Sequence, residues 1–74
     1  MVIEVIIFGQ IAPHLPYSQE LVVPDNTCIE DVTRILDLKS DLIGLMTING
    51  KQCEGEEPVI DGSRLCFFPY MSGG

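Results

Sequence analysis

Three observations predict an α+β fold, with one main helix laid on one face of a mixed sheet of four to five strands. Short β-branched and aromatic runs of alternating polarity stand near both ends of the chain. A single central segment carries apolar residues at helical spacing behind a capping signal. Two glycine-containing turn pairs, Asn49-Gly50 and Asp61-Gly62, punctuate the second half.

The elements follow in order. VIEVIIF at 2–8 is predicted as a strand whose alternation puts Ile3, Val5 and Ile7 on one face and Glu4, Ile6 and Phe8 on the other. Residues 9–18, with Pro13 and Pro16, read as a loop, and ELVVP at 20–24 reads as a second strand stopped by Pro24, paired with the first as a hairpin. In DNTCIEDVTRILDL, Thr27 is the expected N-cap, Glu30 completes a capping box three residues on, and Asp31 suits the positive helix end. Ile29, Val32, Ile35 and Leu36 then form one apolar stripe, so the helix is predicted over 28–38. LMTINGKQC holds two extended runs around Asn49-Gly50, a pair suited to the positive φ angles of a type I′ turn. After the loop EGEEP, Asp61-Gly62 turns the chain into a last strand over 64–68. One helix stripe can cover only one sheet face, which leaves the other for water or a partner. This β-β-α-β-β order describes the β-grasp, or ubiquitin-like, architecture, expected as a single domain over 1–74 with 69–74 a flexible C-terminal tail.

Composition narrows the function. Hydrophobic residues are 46% and charged residues 20% of the chain, which predicts an ordered globular domain. Eleven acidic against four basic residues give a net charge of −7, which disfavours nucleic acid and anionic lipid as partners. Cys28, Cys53 and Cys66 are odd in number and widely spaced, with one histidine in the chain, a pattern that suits neither a disulfide framework nor a zinc site and points to a reducing cytoplasm. The apolar start MVIEVIIFGQIA lacks a basic n-region and carries Glu4, unlike a signal peptide, and it is too short to span a bilayer.

An enzyme's own active site finds little support. A thiol nucleophile needs a base or a positive field, and His14, in a proline-flanked loop, is the only histidine to supply one. Glu54, Glu56 and Glu57 fall in a turn without apolar neighbours and are expected to be solvated. No glycine pattern suggests a phosphate cradle.

The ending CFFPYMSGG directs attention to the terminus. Ser72-Gly73-Gly74 presents no Cβ at its last two positions, so it suits a slot too narrow for side chains. Its reactive group is expected to be the α-carboxylate of Gly74, ionised at pH 7 and a poor electrophile until activated, for instance as an acyl adenylate. Once activated it can accept sulfide or be passed to an amine or a thiol.

With these residues in view, the chain resembles the MoaD/ThiS family of sulfur carriers. VIEVIIFGQIA is similar to that family's first strand, INGKQC to its hairpin, and VIDGSRLCFFPYMSGG to its turn, last strand and Gly-Gly ending. Phe68-Pro69 before Ser72-Gly73-Gly74 is nearest the small subunit of molybdopterin synthase, although Tyr70 stands where a second proline is common. The resemblance implies a non-catalytic carrier that binds no cofactor itself. An adenylating enzyme of the ubiquitin-activating type, MoeB- or ThiF-like, would spend ATP on Gly74, and a sulfur donor would make the thiocarboxylate. The MoaE-like large subunit of molybdopterin synthase, or another sulfur acceptor enzyme, would then use it. A carrier for thiamine or another sulfur metabolite and a ubiquitin-like protein modifier are the alternatives.

Side-chain parity locates a docking surface. Burying the Glu4 carboxylate against an apolar helix stripe would cost desolvation, so Ile6 and Phe8, on its face, are expected to point outward; Arg64 likewise places Cys66 and Phe68 outward and Leu65 and Phe67 inward. If the first and last strands are neighbours, as in the β-grasp, Ile6, Phe8 and Phe68 form one patch at the root of the tail. With Tyr70 and Met71 they make up the expected partner-binding set.

Overall fold

In the computed structural model, which describes residues 1–70, the apolar runs become five strands of one sheet. They are β1 (Val2–Ile7), β2 (Ser18–Val22), β3 (Ile43–Ile48), β4 (Lys51–Gln52) and β5 (Arg64–Pro69), with one helix, α1 (Ile29–Ile35), and a 3₁₀ turn at Ser40–Leu42. The strand order is β2-β1-β5-β3-β4, with β1 and β5 parallel in the centre and the other pairs antiparallel. This is the β-grasp arrangement, with the expected strand faces in place. Ile3, Val5 and Ile7 from β1 and Leu65 and Phe67 from β5 are buried with Ile29 and Val32 of α1.

The turn pairs act as expected and are tied to neighbouring strands. Asn49 (φ 50°) and Gly50 (φ 84°) close the β3–β4 hairpin, and the Asn49 side chain accepts a bond from Arg64 N–H at 3.0 Å, pinning the turn to the start of β5. Gly62, at φ 78°, donates its N–H to the Val2 carbonyl at 2.7 Å, and Asp61 Oδ1 accepts from Val2 N–H at 2.8 Å. The second strand begins at Ser18, two residues earlier than its composition suggests, and stops at Val22.

The helix differs from its prediction at both ends. The N-cap is Cys28 and not Thr27, and Asp31 rather than Glu30 closes the capping box, accepting from Cys28 N–H at 3.0 Å and from its Sγ–H at 3.2 Å. Thr27 instead donates its hydroxyl to the Pro24 carbonyl at 2.6 Å. The carbonyls of Glu57 and Gly55, from the loop before β5, accept the Ile29 and Glu30 N–H groups at 3.0 and 2.9 Å. A long-range loop therefore satisfies donors that a local cap was expected to take. At the other end α1 stops at Ile35, three residues short of the predicted end. Asp37 adopts φ 55°, and the bonds from Asp37 N–H to Arg34 O and from Leu38 N–H to Thr33 O form a Schellman ending. Leu36 and Leu38 prolong the apolar spacing, but Leu38 reaches the core from beyond the helix.

Candidate functional site: the open sheet face and the end of β5

The face of the sheet opposite α1 is built by strict alternation along β1 and β5. Parallel pairing sets Glu4 beside Arg64 and Ile6 beside Cys66, all pointing away from the core. At one end of this face Arg64 Nε donates to Glu4 Oε1 at 2.8 Å, closing an exposed ion pair. At the other end the face turns aromatic. Phe8 and Phe68 stack with ring centroids 4.5 Å apart and planes 5° from parallel, and Tyr17 meets Phe8 edge-on at 5.3 Å and 89°. Leu45, opposite Phe68 on β3 and 38% exposed, extends the apolar surface across a third strand.

The structure thus brings together Ile6, Phe8 and Phe68, residues far apart in sequence, and places them half-buried on the open face. Tyr70 is 64% exposed and follows directly on β5, which runs one residue beyond its predicted end, through Pro69. Met71, Ser72, Gly73 and Gly74 lie outside the described residues. Tyr17 and Leu45 were missed by sequence reasoning. Leu45 alternates with the inward-facing Met46, so parity along β3 is a signal that finds it. Tyr17 precedes β2 in a loop, where no periodicity applies.

The remaining candidates lie in loops, in the core and at the helix cap. His14 is exposed in the β1–β2 loop, and Glu54, Glu56 and Glu57 are exposed in the loop before β5. Cys53 is only 5% exposed, and burial, reinforced by Glu57 and Glu54, pushes its thiol up to about 11, which makes it a poor nucleophile at neutral pH. Asp31 is held below the usual carboxylate range by the bonds from the Cys28 backbone and thiol, with Arg34 adding to the effect. Its bonds are those of a helix cap. Among the described residues no group of three or more histidine, cysteine or acidic side chains is arranged to hold a metal ion, and no helix is long and apolar enough to cross a membrane.

No protein-family model matches the chain, and none of the curated proteins matches it. Solved structures do. SAMP1 from Haloferax volcanii superposes with a TM-score of 0.79 at 21% identity over 100% of both chains. A second crystal structure, of H. volcanii small archaeal modifier protein 1, gives 0.76 at 19% identity over 92% of this chain and 95% of that one. A protein–protein complex of subunits 1 and 2 of molybdopterin-converting factor from Helicobacter pylori contains a chain that matches with a TM-score of 0.68 at 21% identity, again over 100% of both. The fold is MoaD-like. Agreement over 92 to 100% of this chain at such low identity is agreement in fold, and in this chain that fold sets one helix against one sheet face with β5 central beside β1.

Proposed function

We propose that this MoaD-like domain is a sulfur carrier whose Gly74 is its reactive C-terminus, acting in a reducing cytoplasm. In the first step a Gly74 carboxylate oxygen attacks the α-phosphorus of ATP in the active site of an adenylating enzyme. An acyl–phosphate bond forms and pyrophosphate leaves. A donor then delivers sulfur at the hydrosulfide level to the acyl carbon; the C–S bond forms, the acyl C–O bond breaks and AMP departs, leaving the thiocarboxylate. The domain performs no catalysis itself, because its role is to present this group to enzymes that do.

The stacked Phe8–Phe68 pair carries the reading. It stands on the sheet face that α1 leaves open, and Phe68 belongs to the strand that precedes the Gly73-Gly74 ending in the chain. Aromatic side chains in a contiguous apolar patch are effective interface anchors, since each can bury a large area at low entropic cost. A partner seated on Ile6, Phe8, Phe68 and Leu45, with Tyr70 at the margin, receives the terminus alongside. Likeness to subunit 1 of molybdopterin-converting factor, seen in complex with subunit 2, supports a MoaE-like large subunit as the sulfur acceptor. A thiamine-type acceptor is the alternative within the same chemistry.

The likeness to SAMP1 supports a second reading, a ubiquitin-like modifier that passes the same activated Gly74 to a lysine amine. Mass separates the two. The intact protein purified from its native host is expected to contain a species heavier by one sulfur in place of one oxygen, localised to Gly74 by fragmentation. Conjugates of this chain with other proteins, in the absence of that species, would select the modifier reading instead. Finding neither in cells growing under demand for sulfur-containing cofactors would overturn both.

A further inference from the structure

Two glycines meet the end of β5 from opposite sides. On the β1 side, Gly9 sits at φ 70°, and a Cβ built on it would lie 2.6 Å from Pro69 Cγ. On the β3 side, the register shifts between Ile43, which pairs with Pro69, and Leu45, which pairs with Phe68, so Gly44 is the extra residue of a bulge. A Cβ on Gly44 would lie 2.9 Å from Tyr70 Cα and 3.0 Å from both Pro69 O and Tyr70 N. Ordinary carbon contacts are about 3.5 to 4.0 Å, so neither position has room for a methyl group.

The two glycines are needed for different reasons. Gly9 is in the left-handed region, where glycine is favoured by its backbone alone. Gly44 is outside that region, so a larger residue is excluded there by space, and the atoms that exclude it are backbone atoms of Pro69 and Tyr70. Backbone cannot rotate aside as a side chain can. Bulges redirect a strand, and a glycine within one marks close approach of another backbone. Here that neighbour is the segment that leads into residues 71–74.

We infer that Gly9 and Gly44 are positioning residues for the reaction at the C-terminal carboxylate, holding the Pro69–Tyr70 backbone at one place against the sheet as the origin from which residues 71–74 reach a partner's active site. The inference rests on the carrier reading above. Four residues span at most about 14 Å when fully extended. The place of its origin therefore limits which points inside a partner the carboxylate can reach. Misplacing a reacting group by about 1 Å can cost on the order of a hundredfold in rate.

The test is pyrophosphate release by the ubiquitin-activating-type adenylating enzyme of the same organism, at saturating ATP with the carrier varied. Gly44→Ala is expected to lower kcat by about tenfold or more with KM within about threefold of the wild type, and Gly9→Ala to act in the same direction. Gly50→Ala is the control, because Gly50 has φ 84° but nothing within 4 Å of a built Cβ; it imposes backbone strain beside the start of β5, at the opposite end of that strand from Pro69, and should leave kcat unchanged. Circular dichroism and urea melts set the folded fraction of each variant, and if Gly44→Ala does not fold, Gly9→Ala carries the test from the Pro69 side. Unchanged kcat in the folded variants, an equal loss in Gly50→Ala, or failure of both variants to fold would each overturn the positioning role. Turnover by none of the proteins, wild type included, would overturn the carrier reading and this inference with it.

Discussion

Adjacent phenylalanines in β5 have opposite environments. Phe67 is fully buried in the core, whereas Phe68 faces outward and stacks on Phe8. Phe67→Ala is expected to cost about 3 to 5 kcal/mol through lost burial and the cavity left behind. Phe68→Ala loses a half-exposed stack, for which about 0.5 to 1.5 kcal/mol of pair energy is typical. Partner affinity should rank the other way, with Phe8→Ala and Phe68→Ala each weakening docking by about 2 kcal/mol or more. Urea melts and calorimetry on the three variants check both orders; a larger stability loss for Phe68→Ala would mean the faces are misassigned. A second residue-scale prediction concerns Cys53, whose buried thiol is raised from 9.0 to about 11. Above pH 9 the unfolded chain loses this proton while the folded chain keeps it, so stability is expected to fall as pH rises from about 9 to about 11, by at most about 3 kcal/mol. The decline should be shallower in Cys53→Ala, measured by urea melts across that range.

A seven-residue helix is too short to persist alone, so α1 depends on its caps and on Ile29 and Val32, both fully buried. Serine is a much better N-cap than cysteine because its oxygen is the stronger acceptor, and the Cys28 position already has extended geometry, with φ −100° and ψ 169°. Cys28→Ser is therefore expected to hold or raise stability, by up to about 1 kcal/mol. Cys53→Ser, by contrast, buries a new hydroxyl and should cost about 1 to 3 kcal/mol if it finds no partner. Thermal melts of the two single variants decide this, and a loss at position 28 as large as that at 53 would refute the cap assignment. The Asp31 carboxylate works in the same cap. Its pKa is lowered in the folded state, so its contribution is present above the ordinary carboxylate range and is lost as pH falls through the lower folded value.

At the scale of the molecule, Phe67 is the last member of the buried cluster among the described residues. Removal of residues 71–74 is accordingly expected to change unfolding free energy by no more than about 0.5 kcal/mol while abolishing adenylation. Removing Gly74 alone, or adding one residue after it, should also abolish adenylation. Normal adenylate formation by any of these proteins, followed by pyrophosphate release, would exclude Gly74 as the reactive end.

Strand identity, the inward and outward faces of β1 and β5, both glycine turns and the existence of α1 were legible in the sequence. Each depends on local periodicity or on backbone preferences of single residues, and such signals survive without knowledge of the fold. The limits of α1 were not, because the Glu57 and Gly55 carbonyls that cap it come from more than twenty residues away and Asp37 ends it without a glycine. The site divides in the same way. Alternation alone turned Phe8 and Phe68 outward, and the family resemblance supplied the expectation that they meet. Their stacking required β1 and β5 to pair in parallel at the sheet's centre. Tyr17 joined them through a loop, and Gly44 met Tyr70 through a bulge, contacts that no local pattern encodes. Periodicity specifies which way a side chain points; which residue it then meets depends on the register and order of strands brought together by burial of the shared core.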